Sequence, residues 1–237
     1  MDFKSDTIVI VPTYNESKNV SNLLNIFIES DFDILIIDDN SPDGTATIVK
    51  NYLSKYTNVH LLERPSKLGL GSAYRDGFNW ALKREYKSIV EMDADFSHSF
   101  SDLNNLNIYK KDYDLVIGSR YVSGGKTEGW SKGRKLLSVT ANKIAKNLLN
   151  IKVNDMTSGF RIYSRECLKS INYENTKSNG YAFQIEMTLL VSINDRSIKE
   201  IPITFYERSL GDSKMSKAIV YEAIKFLIEN IFTMRRK

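Results

Sequence analysis

The sequence is short of the side chains that build cross-links and metal clusters. Among its 237 residues there is one cysteine, Cys167, which excludes an internal disulfide framework and any cysteine-cluster metal site. There are two histidines, His60 and His98, too few for a histidine-rich zinc centre. No stretch approaches the roughly 20 consecutive apolar residues of a membrane span. The amino end, MDFKSDTIVIVPTYNE, carries an acid at position 2 and only a short apolar run, unlike a secretory signal. Excess charge of one sign is also lacking. The 33 basic and 29 acidic residues leave a net +4, too mild to imply nucleic-acid binding. These shortages predict a soluble, reduced, cytoplasmic protein with no nucleic-acid partner. What is present is length for a real core, at roughly 150 residues per domain. The apolar fraction of 42% and the charged fraction of 26% are ordinary and argue against wholesale disorder.

The first half alternates short β-branched runs with helical patterns. Strands are expected at Thr7–Val11, Asp33–Ile37, Val59–Leu62, Ser88–Met92 and Asp114–Ile117. Between them, helices are expected at Lys18–Glu29, from Thr45 (as cap) to about Tyr56, at Leu70–Arg84 and near Asp102–Tyr109. Such alternation predicts an α/β protein, a mainly parallel sheet with helices on both faces. Ligands then bind beyond the carboxyl ends of the strands. After residue 120 the pattern changes to a glycine-containing loop (Val122–Gly129), a long helix (Ser131–Leu149) and strands at Ser158–Tyr163 and Ser197–Ile203. An apolar helix (Ala182–Ile193) lies between those strands, followed by a polar loop (Arg208–Lys214) and a terminal helix (Ser216–Met234). No repeat or linker is visible, so residues 1–237 read as one domain. Residues 1–120 form its first half, 121–215 its second, and 216–237 an amphipathic end.

The polar clusters fall at the expected strand ends: PTYNE (12–16), DDNSPDG (38–44), DAD (93–95) and GSRY (118–121). Asp93-Ala94-Asp95 can face a divalent cation bound to a phosphate, and oxygen ligands favour magnesium or manganese over zinc. Acidic residues also end strands and open turns, so the triplet alone supports either reading. Asp38-Asp39 can accept bonds from a ribose or base, although turn chemistry explains much of DDNSPDG. Lys67-Leu68-Gly69-Leu70-Gly71 lacks the third glycine of GxGxxG and the ending of a P-loop, and reads as the tight start of a helix. Arg120 stands at a strand end, and Arg208 and Lys214 share a loop suited to closing over phosphates. Arg134 and Ser138 lie on one helix face, where they suit a second phosphate or simply point to water. His98, three residues after Asp95, could reach a metal site but reads by default as a turn histidine. Cys167 has no evident base. Trp130 reads as a residue that packs the glycine loop or sits at a membrane interface. The terminal helix has a wider apolar arc than one core stripe needs and ends Arg235-Arg236-Lys237. That suits burial by the domain, a partner, or an anionic membrane.

Taken in order, PTYNE, DDNSPDGT, LGLGSAYRDG, MDADFSH, GSRYVSGG, MTSGFRIY, GYAFQIEM and ERSLGDSK resemble the dolichol-phosphate mannose synthase group of glycosyltransferase family 2. The resemblance runs through nearly the whole chain. It implies a GT-A fold, a Rossmann-like sheet with a metal-binding DxD motif. It implies inverting transfer of mannose from GDP-mannose to a polyprenyl (dolichyl) phosphate, with Mg2+ or Mn2+. Carried over by motif, Pro12, Tyr14, Glu16, Ile37 and Asp39 hold the nucleoside. Asp93, Ala94 and Asp95 hold the sugar diphosphate, with Asp95 the main metal ligand. Arg208 and Lys214 close over the diphosphate, while Arg120, Arg134 and Ser138 receive the lipid phosphate. Some relatives have glutamine, a further metal ligand, where this chain has Ser97, so a water substitutes for that contact or the serine supplies it. Two alternatives are a polyprenyl-phosphate glucosyltransferase using UDP-glucose and a non-catalytic nucleotide-sugar-binding subunit of a membrane complex. A Rossmann dehydrogenase is disfavoured because GxGxxG is missing after the first strand. A lipid acceptor places the protein at the cytoplasmic face of a membrane, reached through its own surface or an anchoring subunit. The terminal helix is the sequence's candidate for that contact.

Overall fold

The computed structural model describes residues 5–207 together with Phe226 and Leu227. Strands β1 (Thr7–Thr13), β2 (Asp33–Asp38), β3 (Val59–Glu63) and β4 (Ser88–Glu91) alternate with helices α1 (Ser17–Ile28), α2 (Thr45–Leu53) and α3 (Leu70–Leu82). Then come α4 (Phe100–Ile108), β5 (Leu115–Ser119), β6 (Lys126–Glu128) and the long α5 (Lys132–Leu148). The chain continues through β7 (Arg161–Ser164), α6 (Arg165–Ser170), α7 (Gly180–Ile193), β8 (Ile198–Pro202) and β9 (Thr204–Tyr206). Seven strands form one sheet in the order β3-β2-β1-β4-β7-β5-β8. Every pairing in it is parallel except those of β7, which runs against both β4 and β5. The expected mainly parallel sheet is therefore present, with one reversed strand. Within the expected glycine loop, β6 pairs with β9 in a separate two-stranded parallel sheet.

The strands read as unbroken apolar runs because both sheet faces are covered. Alternate side chains sort to the two faces. Ile8 and Ile10 of β1 pack with Tyr74 and Phe78 of α3 and Phe183 of α7, whereas Val9 and Val11 pack with Val20, Leu24 and Phe27 of α1 and Leu106 of α4. Phe226 and Leu227 join the first of these cores. Apolar faces on both sides leave the hydrophobic pattern a weak guide to register. The polar strand ends help to fix it, since the Thr13 hydroxyl donates to Asp38 Oδ1 at 3.0 Å across the β1–β2 pair. A Cβ on Gly77 would stand 2.7 Å from Ile10 Cγ2 and 2.8 Å from Ile37 Cδ1, so α3 lies flush on the sheet only because that residue is glycine.

Local chemistry moves several expected boundaries. Thr45 is the first residue of α2 and not its cap. Its hydroxyl donates to Asp43 Oδ1 at 2.6 Å and accepts from the Glu16 amide at 3.1 Å. Helix α4 starts earlier than expected because the Ser99 hydroxyl accepts from the Asp102 amide. Ser131 caps α5 in the same way through the Arg134 amide. The Lys67–Gly71 segment is the tight helix start that the sequence suggests. Gly69 takes φ +98°, and a Cβ on Gly71 would fall 2.5 Å from the Ser178 carbonyl oxygen, where α3 meets the segment leading into α7.

Candidate active site

The parallel strands deliver their carboxyl-end residues to one edge. Pro12 lies opposite Ile37 and Thr13 opposite Asp38 in the β1–β2 register. The two aspartates of DDNSPDG then diverge. Asp38 is taken up by the turn, accepting from the Ser41 amide at 2.8 Å and the Ser41 hydroxyl at 2.7 Å. Asp39 faces Arg64, whose Nη1 stands 2.9 Å from its Oδ1, while Arg64 Nε lies 3.2 Å from Asp76 and Arg64 Nη2 donates to Ser72. Burial pushes the Asp39 carboxyl above its ordinary value, against the pull of Arg64. Beside this pair, the Lys67 ammonium sits 4.1 Å from the Tyr14 ring centroid. Glu16 accepts from Asn19 Nδ2 at 2.8 Å and so belongs to the start of α1. Ile37 is fully buried. Tyr14, Asp39, Arg64 and Lys67 thus form one pole, polar and ringed by an aromatic face. The sequence reading missed Arg64 and Lys67. The signal for Arg64 was its place directly after β3, at the same sheet edge as the acidic clusters.

The second pole follows β4. Asp95 is nearly buried and its Oδ1 accepts from the Ser97 amide at 3.0 Å, whereas the Asp93 side chain is 35% exposed. The Ser97 hydroxyl is buried and has no hydrogen-bond partner among the described residues. Two carboxylates and a hydroxyl make an all-oxygen donor set, which fits a hard divalent cation. Among the described residues no three His, Cys, Asp or Glu side chains converge on a common cation position. A cation held here would therefore complete its shell with oxygens beyond these side chains. His98 is not a solvated turn residue: it stacks on Phe160 at 4.6 Å, meets Phe205 edge-on at 5.2 Å, and points Nε2 to within 3.5 Å of Asp93 Oδ2. Behind the motif, Glu91 is fully buried and accepts from Gln184 Nε2 at 2.8 Å. Burial lifts its carboxyl to about 7, against the Arg161 guanidinium.

The third cluster gathers residues distant in sequence. Arg120 is buried and bidentate on the fully buried Asp155, through Nε at 2.7 Å and Nη2 at 2.6 Å, and its backbone amide adds a bond to the same carboxylate. Burial opposes ionisation of Asp155, yet Arg120 holds its carboxyl below the ordinary value. Arg134 lies 4.1 Å from the Trp130 ring centroid and Arg120 5.4 Å from the same ring, with Phe205 edge-on to it. Arg134 also pairs with Glu207 at 2.8 Å. The Ser138 hydroxyl accepts from Tyr121 at 2.7 Å. Arg120, Arg134 and Ser138 therefore do meet, around Trp130 and Tyr121. Sequence spacing predicted the Arg134–Ser138 face but gave no sign of Asp155 or Glu207. The DxD turn is tied to this cluster, because the Tyr206 amide donates to the Ser97 carbonyl while its neighbour Phe205 packs on Trp130. Arg208 and Lys214 lie outside the described residues, as does the expected terminal helix except for Phe226 and Leu227. Cys167 is buried and its thiol is pushed up to about 12, which leaves it inert.

The family model for Glycosyl transferase family 2 matches residues 8–171. The chain belongs to glycosyltransferase family 2. It is 44% identical over 222 residues to a polyprenol monophosphomannose synthase of Mycolicibacterium smegmatis, covering 92% of this chain and 84% of the relative. It is 41% identical over 219 residues to an undecaprenyl-phosphate mannosyltransferase of Micrococcus luteus, covering 92% and 90%. Among solved structures, glucosyl-3-phosphoglycerate synthase from Mycobacterium tuberculosis with Mn2+, UDP and glucosyl-3-phosphoglycerate superposes with a TM-score of 0.67 at 18% identity, covering 95% of this chain and 80% of that one. The mannosyltransferase PcManGT from Pyrobaculum calidifontis with GDP-Man and Mn2+ does so with a TM-score of 0.59 at 15% identity, covering 98% and 64%. At such identities these neighbours establish the GT-A-like fold alone. As a family 2 glycosyltransferase, the chain carries its polar clusters where the fold leaves strand ends open.

Proposed function

We propose that the protein transfers mannose from GDP-mannose to a polyprenyl phosphate with inversion at the sugar carbon. The observation that carries this reading is the juxtaposition at one sheet edge. A carboxylate turn suited to a diphosphate and its cation is fastened, through Ser97–Tyr206 and Phe205–Trp130, to a pair of arginines suited to a second anion. Relatives named for mannosyl transfer to polyprenyl phosphates support the same donor sugar and acceptor. Tyr14, Asp39, Arg64 and Lys67 face the nucleoside end, and Asp93, Ala94 and Asp95 the sugar diphosphate. Arg208 and Lys214, by motif, close over that diphosphate.

The chemistry follows from charge. A phosphate monoester is already anionic near pH 7, so it attacks the sugar carbon without a general base. This suits a site in which His98 is packed between two rings and Glu91 lies buried behind the motif. Arg120, Arg134 and Ser138 hold the attacking phosphate, a phosphate oxygen bonds to the sugar carbon, and the bond to the diphosphate breaks on the opposite side. Asp93 and Asp95, with the Ser97 hydroxyl, would hold Mg2+ or Mn2+, which offsets the charge on the departing diphosphate.

A lipid acceptor requires contact with a bilayer. No helix of the described residues is long and apolar enough to cross one. Helix α5 offers a surface contact: Leu136, Leu137, Ile144 and Leu148 are exposed on it, and it carries Lys132, Arg134, Lys135, Lys143 and Lys146 with no acidic residue. An exposed apolar face with a wholly basic polar face fits an anionic membrane surface, and it is the helix that bears Arg134 and Ser138. This surface supports a peripheral position at a membrane, and the cytoplasmic face, whose leaflet is the anionic one, suits it.

The test is direct. The purified chain is incubated with polyprenyl phosphate and Mg2+ or Mn2+, and with GDP-mannose or UDP-glucose in separate reactions. The expected product is polyprenyl-phosphate mannose from GDP-mannose alone, abolished by chelator and by Asp95→Ala at unchanged melting temperature. Product from UDP-glucose only would reassign the donor. Product from neither donor, with nucleotide-sugar binding retained, would favour a non-catalytic binding subunit.

A further inference from the structure

We propose that Asn142 is a positioning residue of the acceptor-phosphate subsite. Its side-chain amide locks helix α5, which carries Arg134 and Ser138, to the turn that fixes Arg120. The inference rests on the acceptor reading given above and adds a residue that never touches the acceptor.

Asn142 is 1% exposed in the interior of α5. Its Nδ2 donates to the Ser138 carbonyl at 3.0 Å and to the Thr157 hydroxyl at 3.0 Å. Its Oδ1 accepts from the Met156 amide at 2.8 Å and the Thr157 amide at 3.2 Å. Two donors and two lone pairs are the whole capacity of an amide, and all four are used. Asparagine is a poor choice for a helix interior. A residue that breaks the local rule and is fully satisfied by tertiary partners marks a site where geometry matters more than helix propensity.

The partners close a ring. Thr157 Oγ1, which accepts from Asn142, also accepts from Arg120 Nη2 at 2.9 Å. Tyr121, the next residue along the chain from Arg120, donates its hydroxyl to Ser138 Oγ at 2.7 Å, and the Ser138 carbonyl returns to Asn142. The circuit Asn142–Thr157–Arg120–Tyr121–Ser138–Asn142 joins the acceptor arginine on the sheet edge to the acceptor hydroxyl on the helix. Among the described residues, Asn142 holds both sides through one planar group. Replacing it by aspartate preserves the shape and both acceptor bonds, but removes the donors to Ser138 and Thr157. Ser138 and Arg134 are then free to drift with α5 relative to Arg120. A displacement of about 1 Å in such a subsite is enough to cost acceptor affinity.

The full-length chain is compared with Asn142→Asp and with Thr157→Val, which removes the shared hydroxyl at a less buried position. Melting temperature, GDP affinity, and kcat and KM for polyprenyl phosphate at saturating GDP-mannose are measured, with Arg134→Ala as the reference for loss of acceptor contact. The expected result is a rise of tenfold or more in acceptor KM for both variants with GDP affinity within twofold of the parent. The double variant should be no worse than the more severe single one, since both cut the same circuit. An unchanged acceptor KM in folded Thr157→Val, while Arg134→Ala raises it, overturns the positioning role alone. A parallel fall in GDP affinity also overturns it, since that is the mark of a general structural role. An unchanged acceptor KM in Arg134→Ala overturns the acceptor assignment and this inference with it. Where Asn142→Asp fails to fold, Thr157→Val decides.

Discussion

Replacing Arg120 by alanine would strip Asp155, whose side chain is fully buried, of its guanidinium partner and leave it the backbone amide. In the parent, that carboxylate accepts three bonds from Arg120 alone, two from the guanidinium and one from the backbone amide. Breaking a buried pair by deleting one partner costs about 3–5 kcal/mol, because the remaining charge is stranded away from water. For a chain of this size that corresponds to a fall in melting temperature of about 6–20 °C. The pH dependence separates a stranded charge from a simple loss of packing. In the parent the Asp155 carboxyl lies below its unfolded value, so its contribution is present above about pH 4 and is lost as pH falls. In Arg120→Ala the backbone amide of residue 120 and the charge of Arg161 still favour the ionised form, but burial is the largest influence and outweighs them once the guanidinium is gone, so the folded value rises above the unfolded one. The protonated form is then favoured below about pH 4, and stability is lost as pH rises. The gap between variant and parent should therefore be widest at pH 7 and narrow steadily as pH falls to 4 and below, and adding Asp155→Asn should recover at least half of the loss at pH 7. Melting curves across that range provide the assay. A gap independent of pH, or no rescue by Asp155→Asn, would refute the reasoning. The consequence for activity is practical: an inactive Arg120→Ala says nothing about phosphate binding until its fold is accounted for.

Two further perturbations follow from the same geometry. Glu91, lifted to about 7 by burial, favours its protonated form in the fold, so its contribution is present below about pH 4.3 and lost as pH rises through 7. Glu91→Gln should therefore gain melting temperature relative to the parent between pH 5 and pH 7.5, by the equivalent of about 2–3 kcal/mol; a constant difference across that window would contradict it. Trp130→Leu removes the ring that both guanidiniums approach, at 4.1 Å and 5.4 Å. At roughly 0.5–1 kcal/mol for each cation–π contact, acceptor KM should rise about fivefold to thirtyfold, with a smaller rise for Trp130→Phe. An acceptor KM unaltered in steady-state kinetics would remove Trp130 from the subsite.

What the sequence disclosed and what it withheld divide along contact distance. The β1, β2 and β4 ends were legible because a buried parallel strand is a short apolar run and its carboxyl end is marked by the polar residues that follow. Pro12–Glu16, Asp38–Asp39 and Asp93–Asp95 needed no partner to be noticed. The roles inside a cluster were less legible. Asp38 and Asp39 are adjacent and chemically alike, yet one closes a turn with Ser41 and the other meets Arg64, 25 positions away in a different strand loop. The arginine cluster was readable only as far as one helix face reaches, from Arg134 to Ser138. Asp155, Thr157 and Phe205 reach it through the reversed strand β7 and the short strand β9, whose placement no periodicity encodes. His98 was legible only in part for the same reason: it does stand in the turn after β4, but the rings of Phe160 and Phe205 that roof it come from those two segments.

The two arginines proposed to receive the acceptor phosphate are held by carboxylates of opposite character, and that difference predicts how a phosphate enters. Asp155 is wholly buried and shares several bonds with Arg120, so exchanging it for a ligand would strand a charge. Arg120 is therefore a fixed feature of the subsite, with most of its charge already balanced. Glu207 is different. Its side chain is 45% exposed and, among the described residues, its ion pair is a single contact of 2.8 Å with Arg134. An ion pair so open to water contributes about 0–1 kcal/mol, and its carboxylate can return to solvent when a phosphate takes its place. Glu207 then competes with the acceptor for Arg134. Glu207→Gln removes the competing charge and should lower acceptor KM by up to about fivefold, with an effect that fades as ionic strength rises. The measurement is initial rate against polyprenyl phosphate at two salt concentrations. If acceptor KM instead rises, Glu207 holds Arg134 in its binding geometry, and the exchange of one anion for another is not how the subsite fills.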